Sequence, residues 1–188
     1  MQFLAGYELW QTIRKRASAS RHTTAVVGFL GRHPDELFKW SKSVTVVADL
    51  SEEAVARGAS SARGALALKG MRHSAVDLYS LPNLHAKVLL FDRCAVVSSA
   101  NLSLESESKL VEAGVLVTEP RALASIRRFV RQVVDNEALP LDKKRLLELA
   151  CLEKENNKAA RSVGAQRSAS FFPDGACVWL SSLNHSFD

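Results

Sequence analysis

Residues 85 to 101 read HAKVLLFDRCAVVSSAN and hold the side chains best suited to chemistry. His85 and Lys87 lie two apart in an apolar run, Asp92 follows, and a small-residue turn brings Ser99 and Asn101. A neutral imidazole attacks phosphorus readily, and a covalent step through histidine divides a hard displacement into two easier ones. Lys87 brings a fixed positive charge for non-bridging phosphate oxygens, whose charge must be held through the transition state. The Asn101 amide can donate to the same oxygens, and Ser99 is a second hydroxyl donor. Such a site also needs a carboxylate to fix the tautomer and orientation of the imidazole, and Glu112, entering the next apolar run, is the candidate.

The surrounding pattern must hold this set in place. Side chains two apart on a strand share a face, so a strand over 84–91 projects His85 and Lys87 together. Residues 94–98 form the next strand across a tight turn at Asp92-Arg93, and 113–117 another. Upstream, Phe3, Leu4, Tyr7, Trp10 and Ile13 keep helical spacing. Residues 25–30, 44–48 and 75–79 read as strands, and 34–40 as a short helix. Asp49 to Ser51 offers a helix cap, but RGASSARGALALKG (57–70) reads as partly mobile. Pro120 opens an amphipathic helix with Leu123, Ile126, Val130, Val133 and Val134 on one face. After Pro140, 141–160 reads as helix, 161–170 as polar linker, Pro173-Asp174-Gly175 as a turn, and 176–180 as a last strand or a docked segment. Alternating strands and helices with a central hairpin predict an α/β fold, a mixed sheet flanked by helices on both faces.

Composition narrows the partners. A length of 188 residues with 47% hydrophobic and 24% charged residues fits one soluble domain. No apolar run approaches the roughly 20 residues that span a bilayer, and the N-terminus shows no basic leader or cleavage site, so no membrane association is expected. Cys94, Cys151 and Cys177 are widely spaced, form no zinc pattern and suit a reducing cytoplasm. A net charge of +5 favours a polyanionic partner. The excess is spread over Arg14 to Arg21, Arg57 to Arg72, Arg127 to Arg131 and Lys143 to Arg145; each cluster alone also fits a solvated face.

The run His85-Ala86-Lys87, four residues, Asp92, then Ser98-Ser99-Ala100-Asn101 resembles the HxKxxxxD…GSxN signature of the phospholipase D superfamily. Glu112, eleven residues beyond Asn101, resembles the glutamate that orients the histidine in the family's small metal-independent endonucleases. One departure is visible: Ser98 stands where the signature has glycine. The resemblance covers residues 75–118 best and does not reach 140–188. It implies a phospholipase D-like catalytic domain over 1–140, with 141–188 a C-terminal helix plus tail packed on the same domain or on a dimer partner. It also implies His85 as nucleophile, Lys87 and Asn101 as phosphate binders, Glu112 as partner of the His85 ring, and Asp92 as a structural member of the motif.

The family's active site uses two such motifs, and His22, His33, His73 and His185 lack a lysine two residues on. The resemblance therefore implies a homodimer sharing one site, with no metal and no cofactor. It favours a nuclease acting on DNA rather than RNA, and it allows a defence or restriction setting with partner proteins. Two alternatives stay open: a lipid phosphodiesterase or phosphatidyl transferase, and a non-catalytic nucleic-acid-binding subunit.

Overall fold

The computed structural model describes residues 1–38 and 41–170, with side chains as far as residue 157. The elements in chain order are β1 (Gln2–Ala5), α1 (Gly6–Ala19), β2 (His22–Val27), α2 (Asp35–Phe38), β3 (Ser43–Ala48), α3 (Glu52–Ala56), α4 (Ala62–Lys69), β4 (Ala75–Ser80), β5 (Lys87–Leu90), β6 (Ala95–Ser98), α5 (Leu104–Ser108), β7 (Ala113–Val117), α6 (Pro120–Gln132), β8 (Leu139–Pro140) and α7 (Lys143–Ser170). A π-helical turn, Val133–Glu137, continues α6.

The strands form one eight-stranded sheet in the order β1-β7-β6-β5-β2-β3-β4-β8. β2, β3 and β4 run parallel, because helical crossovers join them. β5 lies antiparallel beside β2, and β5, β6, β7 and β1 continue antiparallel to the edge. The sheet is mixed and covered by helices on both faces, which is why β2 and β3 are apolar almost throughout rather than alternating.

On one face Ala25, Val27, Val46 and Leu89 pack with Leu9 and Ile13 of α1, Leu68 of α4, and Leu146 and Leu149 of α7. On the other, Val26, Val47 and Val88 meet Val130 of α6 and Val133. Burying a leucine or valine side chain contributes roughly 1.5–3 kcal/mol. These two layers therefore hold the central strands far more firmly than any surface contact.

The structure corrects several sequence expectations. Phe3 and Leu4 belong to β1, not to the first helix; Gly6 (φ 49°) turns the chain between them, and β1 pairs with β7. Residues 62–69 are ordered helix, not a mobile stretch. The Ser61 hydroxyl accepts from the Gly64 N–H, and Ala62, Ala65 and Leu68 are fully buried. The cap expected within Asp49 to Ser51 is Ser51, whose hydroxyl accepts from the Ala54 N–H. Helix α7 runs through 161–170, where a linker was expected. The expected turn at 173–175 and strand at 176–180 lie outside the described residues.

Candidate active site

The open end of the β5–β6 hairpin is the candidate site. β5 starts at Lys87, so His85 lies in the loop just before it rather than in a strand. The alternation still holds: Lys87 lies opposite Val27, and Leu89 opposite Ala25, both in the larger core layer, whereas Val88 enters the smaller one. His85 is exposed and Lys87 half-buried. The Lys87 ammonium donates to the His85 carbonyl at 3.1 Å, so the two motif residues are tied through the backbone.

Asp49 builds the approach to His85. This carboxylate is 3% exposed and accepts from the Asn83 N–H at 3.0 Å and from the Ser51 N–H and hydroxyl at 3.1 and 2.6 Å. Asn83 has φ 63°, the left-handed conformation that asparagine tolerates best among ordinary residues. Gly28, just past β2, lies under the loop: a Cβ there would come within 3.0 Å of the Leu84 carbonyl, 3.3 Å of His85 Cα and 3.6 Å of Lys87 Nζ. A side chain at position 28 would press the loop outward by a few tenths of an ångström, so glycine suits this close approach.

The next residue, Phe29, joins the two halves of the motif. Its N–H donates to Asn101 Oδ1 at 3.1 Å, and its ring meets the His85 imidazole edge-to-face with centroids 6.3 Å apart. Binding through Oδ1 fixes the Asn101 amide, and its two Nδ2 hydrogens find no acceptor among the described residues. The His85 ring nitrogens likewise make no hydrogen bond among the described residues. His85, Lys87 and Asn101 are thus gathered around Gly28-Phe29, with the imidazole nitrogens and the Asn101 amide hydrogens unpartnered among the described residues and Lys87 bonded only to the His85 carbonyl.

Glu112 has other partners than the sequence suggested. It is 5% exposed; one oxygen accepts from the Ser106 hydroxyl at 2.6 Å and the other from the Ser99 hydroxyl. No hydrogen bond joins it to His85 among the described residues. The Ser106 hydroxyl also accepts from the Asn101 N–H at 3.1 Å. Glu112 therefore holds the turn that carries Asn101, as a buried anchor of the second half of the motif. Ser99 belongs to the same anchor. Its single hydroxyl hydrogen goes to Glu112 and its oxygen accepts from the Ala113 N–H at 3.1 Å, so it has no proton left for a phosphate.

Asp92 sits at the opposite end of the hairpin. Its carboxylate accepts from the Arg21 N–H at 2.8 Å and the His22 N–H at 3.3 Å, and Arg127 donates to its carbonyl at 2.6 Å. The Arg21 backbone bond is the main reason its pKa lies below the ordinary aspartate value. The departure at Ser98 is absorbed across the sheet. Ser98 pairs with Gly114, where a Cβ would fall 2.7 Å from Ser98 Cβ, so the space a glycine would leave on β6 is left by one on β7.

No protein-family model and no curated protein matches the chain. Solved structures do. Nuc from Salmonella typhimurium, described as a phospholipase D family member, superimposes with a TM-score of 0.58 at 16% identity, over 76% of this chain and 99% of that one. The fold is that of the phospholipase D superfamily. NucT from Helicobacter pylori matches at a TM-score of 0.54 and 12% identity, over 74% of this chain and all (100%) of that one. Phosphatidylserine synthase from Haemophilus influenzae matches at 0.54 and 14%, over 89% of this chain but 46% of its own length. A phospholipase D fold thus carries the His85, Lys87 and Asn101 set.

Sequence reasoning missed Phe29, Asp49 and Ser106. Phe29 was read as the interior of a strand that in fact ends at Val27. Asp49 and Ser106 act through residues distant in sequence, Asn83 and Glu112, which no local spacing reveals.

Proposed function

We propose that the chain is a phosphodiesterase of the phospholipase D type, and that its substrate is a nucleic acid. The observation that carries this reading is the convergence of His85, Lys87 and Asn101 on Gly28-Phe29, with the imidazole and the amide hydrogens unpartnered. An uncommitted nucleophile beside a cation and an amide donor is what an anionic tetrahedral substrate requires.

An imidazole nitrogen of His85 attacks phosphorus as the P–O bond to the leaving oxygen breaks. Lys87 and Asn101 hold the non-bridging oxygens. The leaving oxygen takes a proton from His85 of the partner subunit, because the chain has one HxK motif and the step needs both a nucleophile and an acid. The now neutral imidazole of the partner subunit then accepts a proton from water. That water displaces His85 from phosphorus, leaving a phosphomonoester and both histidines as they began. Lysine and amide supply the electrostatics, and no metal is assigned a role. Glu112 acts as a positioning residue through Ser106.

A net charge of +5 favours a polyanionic partner, and no helix among the described residues is long and apolar enough to cross a membrane. Phosphatidylserine synthase shares the fold, so a lipid headgroup is the second reading. Incubating the protein with labelled DNA, RNA and phospholipid vesicles in excess chelator tests both. Nucleic-acid cleavage that His85→Ala loses supports the first reading, and headgroup release with no cleavage replaces it by the second.

A further inference from the structure

A cavity of about 760 Å³ opens beside the site, within the size range of small-molecule pockets. Its lining begins with Phe29 and Asn101, the two residues that join the halves of the motif, and continues to Arg32, His33, Ser106 and Lys109. One wall is the loop after β2, which the Gly31 N–H ties to the Leu102 carbonyl at 2.8 Å. His33 on that loop has φ 59°, a left-handed backbone that histidine adopts more readily than most side-chain-bearing residues.

The charges lining the cavity are Arg32 and Lys109 against Glu105 and Glu153. Arg32, His33 and Lys109 are exposed, and neither Arg32 nor Lys109 pairs with a carboxylate among the described residues. Arg57 lies over the Phe29 ring, 5.9 Å from its centroid, and its ion pair with Glu53 is long at 3.9 Å. Two carboxylates also line the cavity. Glu153 is engaged by the Ser61 hydroxyl and the Arg63 N–H, both at 3.0 Å, and Glu105 is exposed.

We propose that this cavity takes the nucleotide next to the scissile phosphate, with its base stacked on Phe29 and its outer phosphates met by Arg57, Arg32 and Lys109. This rests on the nuclease reading and names the substrate form: an unpaired strand, since a base in the cavity cannot stay stacked in a duplex. An aromatic ring beside arginine, with further cations in reach of the backbone, is an arrangement that binds single strands with little base preference. Phe29 then couples binding to chemistry, because the same residue touches the His85 ring and holds the Asn101 amide.

The test uses full-length His85→Ala, which holds substrate without turnover, and short DNA and RNA strands carrying one 2-aminopurine. Quenching of the 2-aminopurine reports stacking, and anisotropy reports affinity. A single strand should bind at least about fivefold tighter than the matching duplex, and adding Phe29→Leu should weaken it about fivefold or more and abolish the quenching. Phe29→Trp should restore both. Arg57→Ala and Lys109→Ala should each lower the slope of log affinity against log salt by about 0.7. Equal or tighter duplex binding, or quenching that survives Phe29→Leu, overturns the proposal. Cleavage by the wild-type chain in chelator is scored separately. Cleavage without quenching removes the subsite and keeps the nuclease, whereas Phe29-dependent quenching without cleavage does the reverse. The two strand chemistries show whether the 2′-hydroxyl matters.

Discussion

At the Asp92 end of the β5–β6 hairpin the polar groups are consumed by the fold. The Asp92 carboxylate takes two backbone N–H groups, its carbonyl takes Arg127, and the Phe91 N–H closes the turn on the Cys94 carbonyl at 2.8 Å. At the other end, His85 makes no hydrogen bond among the described residues, Lys87 donates only to a carbonyl, and Asn101 spends its oxygen but not its nitrogen. Both ends belong to one sequence motif, yet they do different work. Groups that complete their hydrogen bonds within the chain stabilise it; groups held in place with capacity to spare can act on something else. The same division separates Ser99 from Asn101, two residues apart on one turn.

That comparison can be broken in graded steps. The largest effect is expected for His85→Ala, which should lower cleavage by about a thousandfold or more while leaving the melting temperature within error. A matching loss of stability would move His85 to the structural end. Lys87→Ala and Asn101→Ala should each cost about a hundredfold in kcat. An effect below tenfold in single-turnover assays would show that neither holds the phosphate. Glu112→Gln should be mixed, losing about 1–3 kcal/mol of stability from a buried, twice-bonded carboxylate and about tenfold in rate through the Asn101 turn. A pure rate effect with no change in denaturant midpoint would make Glu112 a direct participant after all.

Asp92→Ala should give the smallest change in rate, under threefold, and cost about 1 kcal/mol of stability. The Asp92 pKa is lower in the folded chain than in the unfolded one. Its stabilising share is therefore fully present above the ordinary aspartate value and is lost as pH falls through the folded value. Acid denaturation below about pH 4 should become less steep in Asp92→Ala. An unchanged acid limb would show that the Arg21 and His22 contacts contribute nothing in solution.

Much of this was legible in the residues. The α/β class, the hairpin and the strand faces of Lys87, Val88 and Leu89 follow from period and spacing, whereas His85, Lys87 and Asn101 stood out by residue type and by their resemblance to the family signature. What spacing could not supply was which polar atoms are already spent. Ser99 looks like a donor until Glu112 is seen to take its hydrogen. Glu112 looks like a partner for His85 until Ser106, packed behind Asn101, is seen to hold it. Residues 57–70 looked mobile because small residues read as loop, when here they let α4 pack closely on the core. The short edge strand β1 was hidden because Phe3 and Leu4 also fit the helical period of α1.

The central claim is that His85 is an uncommitted nucleophile. Mixing the protein with a nucleic-acid strand labelled on its phosphates in excess chelator, quenching in alkali and digesting the protein tests it most directly. The account predicts an acid-labile, alkali-stable phosphoramidate on the peptide carrying His85, absent in His85→Ala and increased when the second step is slowed. Cleavage that proceeds with no labelled histidine under any quench would contradict it.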